Sequence, residues 1–136
     1  MSAERISDPQ ALLAASGYLH DVRIDKIDFA IEEKIVTLNI NDLNASFTES
    51  SRYLGCRPSK LIFMGVDAFL LDVELSEGIR IAKASIAKGS RTNLLLAIDL
   101  NLGGGDMTRG RQSLKIDFAS LLLAVIKGDE IDQTRR

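Results

Sequence analysis

Val36-Thr37-Leu38-Asn39-Ile40-Asn41 reads apolar, polar, apolar, polar, apolar, polar. A period of two sends successive side chains of an extended chain to opposite faces, so Val36, Leu38 and Ile40 share a buried face and the others a wet one. The same alternation recurs on both sides. Upstream, a strand is expected from Tyr18, with Val22 and Ile24 on one face; Ile27 and Phe29 join that face only if a residue is inserted near Asp25-Lys26, which predicts a bulge. Glu32-Glu33 marks the turn between the two strands.

Downstream, Phe69, Leu71, Val73 and Leu75 alternate with Asp72 and Glu74, and Leu94, Leu96, Ile98, Leu100 and Leu102 stand opposite Asn93, Asp99 and Asn101. Leu114, Ile116 and Phe118 alternate with Lys115 and Asp117. Ile79 and Ile81, then Ala84 and Ile86 out of phase, predict a strand with a slip. Glu77-Gly78 and Gly89-Ser90 suit turns, the first a hairpin. Residues 41–58 form a long connection with an edge segment around Ser46-Phe47. Residues 121–126 are read as strand rather than helix, continuing the one before.

At the N-terminus, Asp8 suits a cap, Pro9 a first helical position and Gly17 a left-handed stop, which predicts a helix over 9–16. Many short strands and no alternating helices imply an all-β domain, an antiparallel β-sandwich or partly closed barrel with a short N-terminal helix. Its 136 residues and 14.9 kDa suit a single domain over 1–136, with a sheet core at about 18–126 and a C-terminal tail at 127–136.

The net charge of −2 gives no overall attraction to phosphate or anionic lipid. Aromatic content of 5% leaves few stacking platforms, so nucleic-acid binding is not favoured. The longest apolar run, residues 121–126, falls far short of the ~20 residues a membrane-spanning helix needs. One cysteine, Cys56, cannot form an internal disulfide, and the acidic start does not resemble a secretory signal; the expectation is a cytoplasmic protein with no membrane association.

The chemical candidates are few. His20, the sole histidine, adjoins Asp21. In a strand the two point to opposite faces, so no catalytic dyad is expected, only a histidine at a strand entrance bonded to backbone or carboxylate. Asp42, in Asn41-Asp42-Leu43-Asn44, is a calcium-ligand candidate with Asp67, Asp99 and Asp106, but Asx residues also favour turns by bonding their own backbone. Arg109 and Arg111 follow Gly103-Gly104-Gly105-Asp106 and, with Lys83, Lys88 and Arg91, define a candidate basic patch. That glycine run lacks the Gly-Lys-Ser/Thr of a phosphate loop and is expected to be a tolerant hairpin loop. Cys56 and His20 exhaust the zinc-type ligands, so neither metal nor other cofactor is expected.

Leu19-His20-Asp21, Asn41-Asp42, Tyr53-Leu54-Gly55 and Leu61-Ile62-Phe63-Met64-Gly65-Val66 together resemble small bacterial all-β domains of unassigned function that open with a Leu-His-Asp strand motif. The likeness spans about residues 18–120; it implies the all-β fold and carries no site residue. Residues 60–66 and 94–98 are apolar on both faces, more than one small sandwich hides, so a homodimer is expected. The functional expectation is a non-catalytic protein-interaction or assembly module, by analogy with immunity proteins that mask a partner; the alternative is a small-molecule-binding protein or metal-assisted hydrolase using His20 and nearby carboxylates.

Overall fold

The computed structural model describes residues 3–73, 79–101 and 112–126. These comprise β1 (Ala3–Ile6), α1 (Pro9–Ala15), β2 (Arg23–Ala30), β3 (Ile35–Ile40), β4 (Ser59–Met64), β5 (Ala68–Asp72), β6 (Ile79–Lys88), β7 (Leu94–Asn101), β8 (Gln112–Phe118) and β9 (Ser120–Val125). All the ladders are antiparallel, in the order β1-β9-β4-β3-β2-β6-β7-β8-β5. The all-β, sandwich-like architecture expected from the alternation is present, and β1 and β5 are the end strands of an order that does not close.

Two corners fold this sheet into layers. At one, only Ala119 separates β8, paired with β7 and β5, from β9, paired with β4 and β1. Residues 65–67 likewise separate β4 from β5, so the β4–β5 and β8–β9 stretches bend together. At the other corner, β2 meets β6 through only two pairs, Arg23↔Arg80 and Ile24↔Ile79. The enclosed core takes Val36, Leu38, Leu61, Ile81, Leu96, Ile98, Leu114 and Ile116, and the Phe63 and Phe118 rings meet edge to face at 5.0 Å across it. Such a ring pair adds about 0.5–1.5 kcal/mol beyond the burial of its area.

The first corner depends on Gly65. Its φ is +63°, and a Cβ there would lie 2.7 Å from the Cβ of Ala119. That close approach lets the Ala119 amide donate to the Met64 carbonyl and the Asp67 amide to the Asp117 carbonyl, both at 2.9 Å. Asp117 then ties the β6–β7 turn to the corner. Its carboxylate accepts from the Ser90 amide at 2.8 Å, the Ser90 hydroxyl at 3.0 Å and Asn93 Nδ2 at 2.8 Å. The Asn93 hydrogen bond foremost, then those from Ser90, hold its pKa below the ordinary carboxylate value against an opposing cost of burial.

Several local expectations hold, and others move. The bulge in β2 falls between Ile24 and Lys26, and the slip in β6 between Ile81 and Lys83. Asp8 caps α1, its Oδ1 accepting from the Ala11 amide at 3.1 Å. The strand expected from Tyr18 starts only at Arg23. Residues 17–19 form a 3₁₀ turn, and Tyr18, Leu19 and Asp21 all have positive φ. Leu19 explains the detour, since the turn delivers its side chain to the core at 1% exposure.

The edge segment expected near Ser46-Phe47 is instead a 3₁₀ turn, Ala45–Phe47. Residues 121–126 are strand through Val125, as expected, but in the opposite layer from β8 rather than continuing its ladder. The hairpin turn expected at Glu77-Gly78 lies outside the described residues; among the described ones β5 pairs with β8, and β6 with β2 and β7. The 103–111 loop, Leu75, Leu102 and the tail also lie outside the described residues.

Gly65→Ala is expected to cost at least about 1–2 kcal/mol from its left-handed backbone alone, more with the Ala119 contact. Urea denaturation measures this, and Ala119→Gly in the same chain should recover the steric part. Acid should weaken the corner too. Asp117's folded pKa lies below its unfolded value of about 3.9, so its contribution is complete above that pH and is lost as pH falls through the folded value. Asp117→Asn should flatten the acid limb of a stability-against-pH profile.

Candidate functional site

Three places bring chemically able or exposed side chains together. The first is His20 with Asp21. Because the chain turns here instead of running as a strand, the expected separation to opposite faces does not occur: His20 Nε2 lies 3.6 Å from Asp21 Oδ2, with both side chains about half exposed. His20 Nδ1 lies 2.8 Å from the Ala82 carbonyl, so it carries the proton and donates. In an orienting dyad, a carboxylate holds one ring nitrogen and leaves the other open to substrate. Here a backbone carbonyl takes the orienting place, and Asp21 stands at the nitrogen a substrate would need. The arrangement ties the turn after α1 to β6.

The second is the connection from 41 to 58. Asp42, 6% exposed, accepts from the Asn44 and Arg57 amides, each at 2.9 Å, and from the Tyr53 hydroxyl at 2.7 Å. Both carboxylate oxygens are engaged: the bond from Asn44, two residues on, is the turn-forming use, and those from Arg57 and Tyr53 close the 41–58 connection on itself. The Tyr53–Asp42 hydrogen bond, reinforced by burial and by the Asp42 charge, pushes the Tyr53 phenol up to about 12. Partial desolvation of this otherwise exposed residue, then the Asp42 charge, also raises the Cys56 thiol, whose S–H points to the Asn41 carbonyl at 3.6 Å. A protonated thiol is a poor nucleophile. Asp21, Asn41, Asp42, Glu49, Cys56 and Arg80 line a polar cleft of about 530 Å³ beside this loop.

The other candidates do not gather. Asp67 joins the Gly65 corner, where Ser90 Oγ and Asn93 Nδ2 each donate to it at 3.1 Å. Asp99 sits opposite Lys83 in the β6–β7 ladder. Among the described residues no group of three or more His, Cys, Asp or Glu converges to hold a metal. Arg109, Arg111 and Asp106 lie outside the described residues. Lys83, Lys88 and Arg91 are exposed on β6 and the turn after it.

The third place is apolar. Among the described residues, β2 pairs with β6 at Arg23 and Ile24 alone, so residues 26–30 have no described ladder on that side, and β5 has one with β8 alone. Phe29 and Phe69 meet across this open side with ring centroids 5.9 Å apart. A cavity of about 280 Å³ lies toward Ile31, Ile35 and Val66, and another of about 280 Å³ toward Ile27, Leu71 and Ile79. Phe29 is 59% exposed, Ile31 81%, Leu70 64% and Leu71 44%. Lys26–Asp28 and Lys34–Asp67 ion pairs flank it.

Sequence reasoning placed the apolar surplus at 60–66 and 94–98, but Ile62, Met64 and Leu95 are half-buried. The missed signal was Leu70, which interrupts the alternation of Phe69 and Leu71 and makes β5 apolar on both faces.

Asp42→Ala is expected to cost at least about 3 kcal/mol, since hydrogen bonds to a charged acceptor contribute roughly 1.5–3 each and three donors would be stranded. Asp42→Asn should return Tyr53 ionisation, read by ultraviolet absorbance, toward 10. Stability linked to Tyr53 should be complete below about pH 10 and lost as pH rises through the folded value. His20→Asn should cost at most about 1 kcal/mol, the net value of an exposed hydrogen bond.

Comparison with family models, curated proteins and solved structures finds no match to this chain, so the functional reading rests on the geometry above.

Proposed function

We propose that this chain is a non-catalytic protein-interaction or assembly module that docks through the open side between β2 and β5. The observation carrying this reading is the contiguity of Phe29, Ile31, Leu70 and Leu71 along strand edges that have no ladder partner among the described residues. Single exposed apolar residues are ordinary, whereas a contiguous patch with polar flanks marks an interaction site. The two end strands of the sheet make the contrast. β1 is four residues long and carries two charges, Glu4 and Arg5, the usual protection of an edge, while β5 reads Ala-Phe-Leu-Leu-Asp and carries one, Asp72, at its end.

In this reading the module acts by covering a partner, as immunity proteins do. A cytoplasmic setting suits the exposed free thiol of Cys56. The hydrolase alternative draws support from the His20–Asp21 approach near the polar cleft, but a backbone carbonyl, not a carboxylate, orients the His20 ring and the raised Cys56 thiol is a poor nucleophile.

Native mass spectrometry of the tagged chain in extract of its own cells tests the proposal. The expected result is a discrete assembly that Phe29→Ser with Leu70→Lys dissociates without loss of fold. A free monomer before and after the substitutions would contradict it.

A further inference from the structure

We propose that the apolar pocket at the Gly65 corner takes the exposed Leu54 of another copy of this chain, so that copies join head to tail; this rests on the interaction reading above and names its partner. The pocket, about 280 Å³, is walled by Phe29, Ile31, Val66, Ala68 and Phe69. It falls just under the ~300–1,000 Å³ of small-molecule sites, a size for one apolar side chain. Every residue lining it is described. The described residues that border stretches 74–78 and 102–111, namely Val73, Ile79, Asn101 and Gln112, lie at the opposite end of the sheet.

The chain carries a fitting occupant. Leu54 is 87% exposed, more than any other large apolar side chain among the described residues. Its neighbours on both sides are tied down, the Tyr53 hydroxyl donating to Asp42 at 2.7 Å and Asn44 Nδ2 to the Gly55 carbonyl at 3.0 Å. A side chain presented from a fixed backbone gives up less freedom on binding. The pocket lies beside Ile35, whereas the 41–58 connection starts past Ile40, at the other end of β3. That strand is about 17 Å long at ~3.3 Å per residue, so the two surfaces face opposite ways and meet between copies.

Charge favours the same pairing. Beside the pocket, Glu32 and Glu33 are exposed and have no ion pair among the described residues, while Lys34 and Asp67 at its mouth offset each other at 4.0 Å. Beside Leu54, Arg52 and Arg57 are exposed and have no ion pair among the described residues; Arg52 rests over the Phe47 ring, 5.1 Å from its centroid. Against Glu49, the exposed acid of that connection, the two arginines leave a positive surplus. Opposite charges around an apolar contact steer the encounter and fix its register. Two different surfaces at opposite ends make a heterologous contact, which repeats into a ring if the rotation closes and a filament if it does not.

Sedimentation of the purified chain should show species of three or more times the 14.9 kDa chain mass as concentration rises. Leu54→Ser, which removes the inserted side chain, and Ala68→Arg, which fills the pocket, should each give monomer with an unchanged circular dichroism spectrum. Mixed in equal amounts, the two variants retain one working junction, with Leu54 from one and the pocket from the other, and should give a dimer and nothing larger. Glu32→Arg with Glu33→Arg should also give monomer, and adding Arg52→Glu with Arg57→Glu to the same chain should restore assembly. A monomeric wild type, assembly indifferent to these substitutions, or a mixture that stays monomeric would overturn the proposal. If the pure chain is monomeric but assembles with a different polypeptide in cell extract, and Phe29→Ser with Leu70→Lys dissociates it, the head-to-tail contact is refuted and the module reading stands; a monomer in both refutes both.

Discussion

The close approach of Gly65 to Ala119 is the constraint on which the architecture depends. Two long strand pairs must bend at the same level so that one sheet can cover its own apolar face, and a side chain at 65 would hold the backbones apart. With the approach made, Phe63 and Phe118 meet across the core and Asp117 reaches both the β6–β7 turn and the corner. The same folding brings β5 alongside β2 without a ladder between them. The open side is therefore a consequence of how the sheet bends, and what closes it is left to side chains.

Much of this was legible because local rules agreed with one another. Val36-Thr37-Leu38-Asn39-Ile40 has one buried face in any antiparallel sheet, and both strand irregularities announced themselves as a change of phase. Asp8 and Pro9 marked the helix start by capping chemistry alone. Positions set by long-range packing were not legible. Nothing near Leu19 in sequence shows that the core needs a side chain there, so the turn at 17–19 read as strand. β1 has no apolar face and exists because β9 offers it an edge. The switch of β9 to the other layer is invisible in Leu121 to Val125, which suit either sheet.

The candidate site followed the same division. Asp42 reads as a turn-former from its neighbours, and its Oδ1 does accept from the Asn44 amide two residues on, while the bonds from Tyr53 and Arg57 are long-range and not legible in sequence. His20 was expected to bond backbone or carboxylate and does so, although the reasoning from strand alternation failed once the strand gave way to a turn. The exposed apolar surface was expected from composition but at the wrong strands, because residues 60–66 are half covered while β5 is an end strand. Which strand ends a sheet is a property of topology, and alternation does not report it.

Hydrogen exchange resolved by residue, compared between the unsubstituted chain and Gly65→Ala, tests most directly whether the Gly65–Ala119 approach holds the two layers together. The Ala119 and Asp67 amides donate across that corner, so the account predicts that they lose protection first and most in Gly65→Ala. Amides of β3 and β7, paired on both sides, should lose less. Unchanged protection at Ala119 and Asp67 in Gly65→Ala would contradict it.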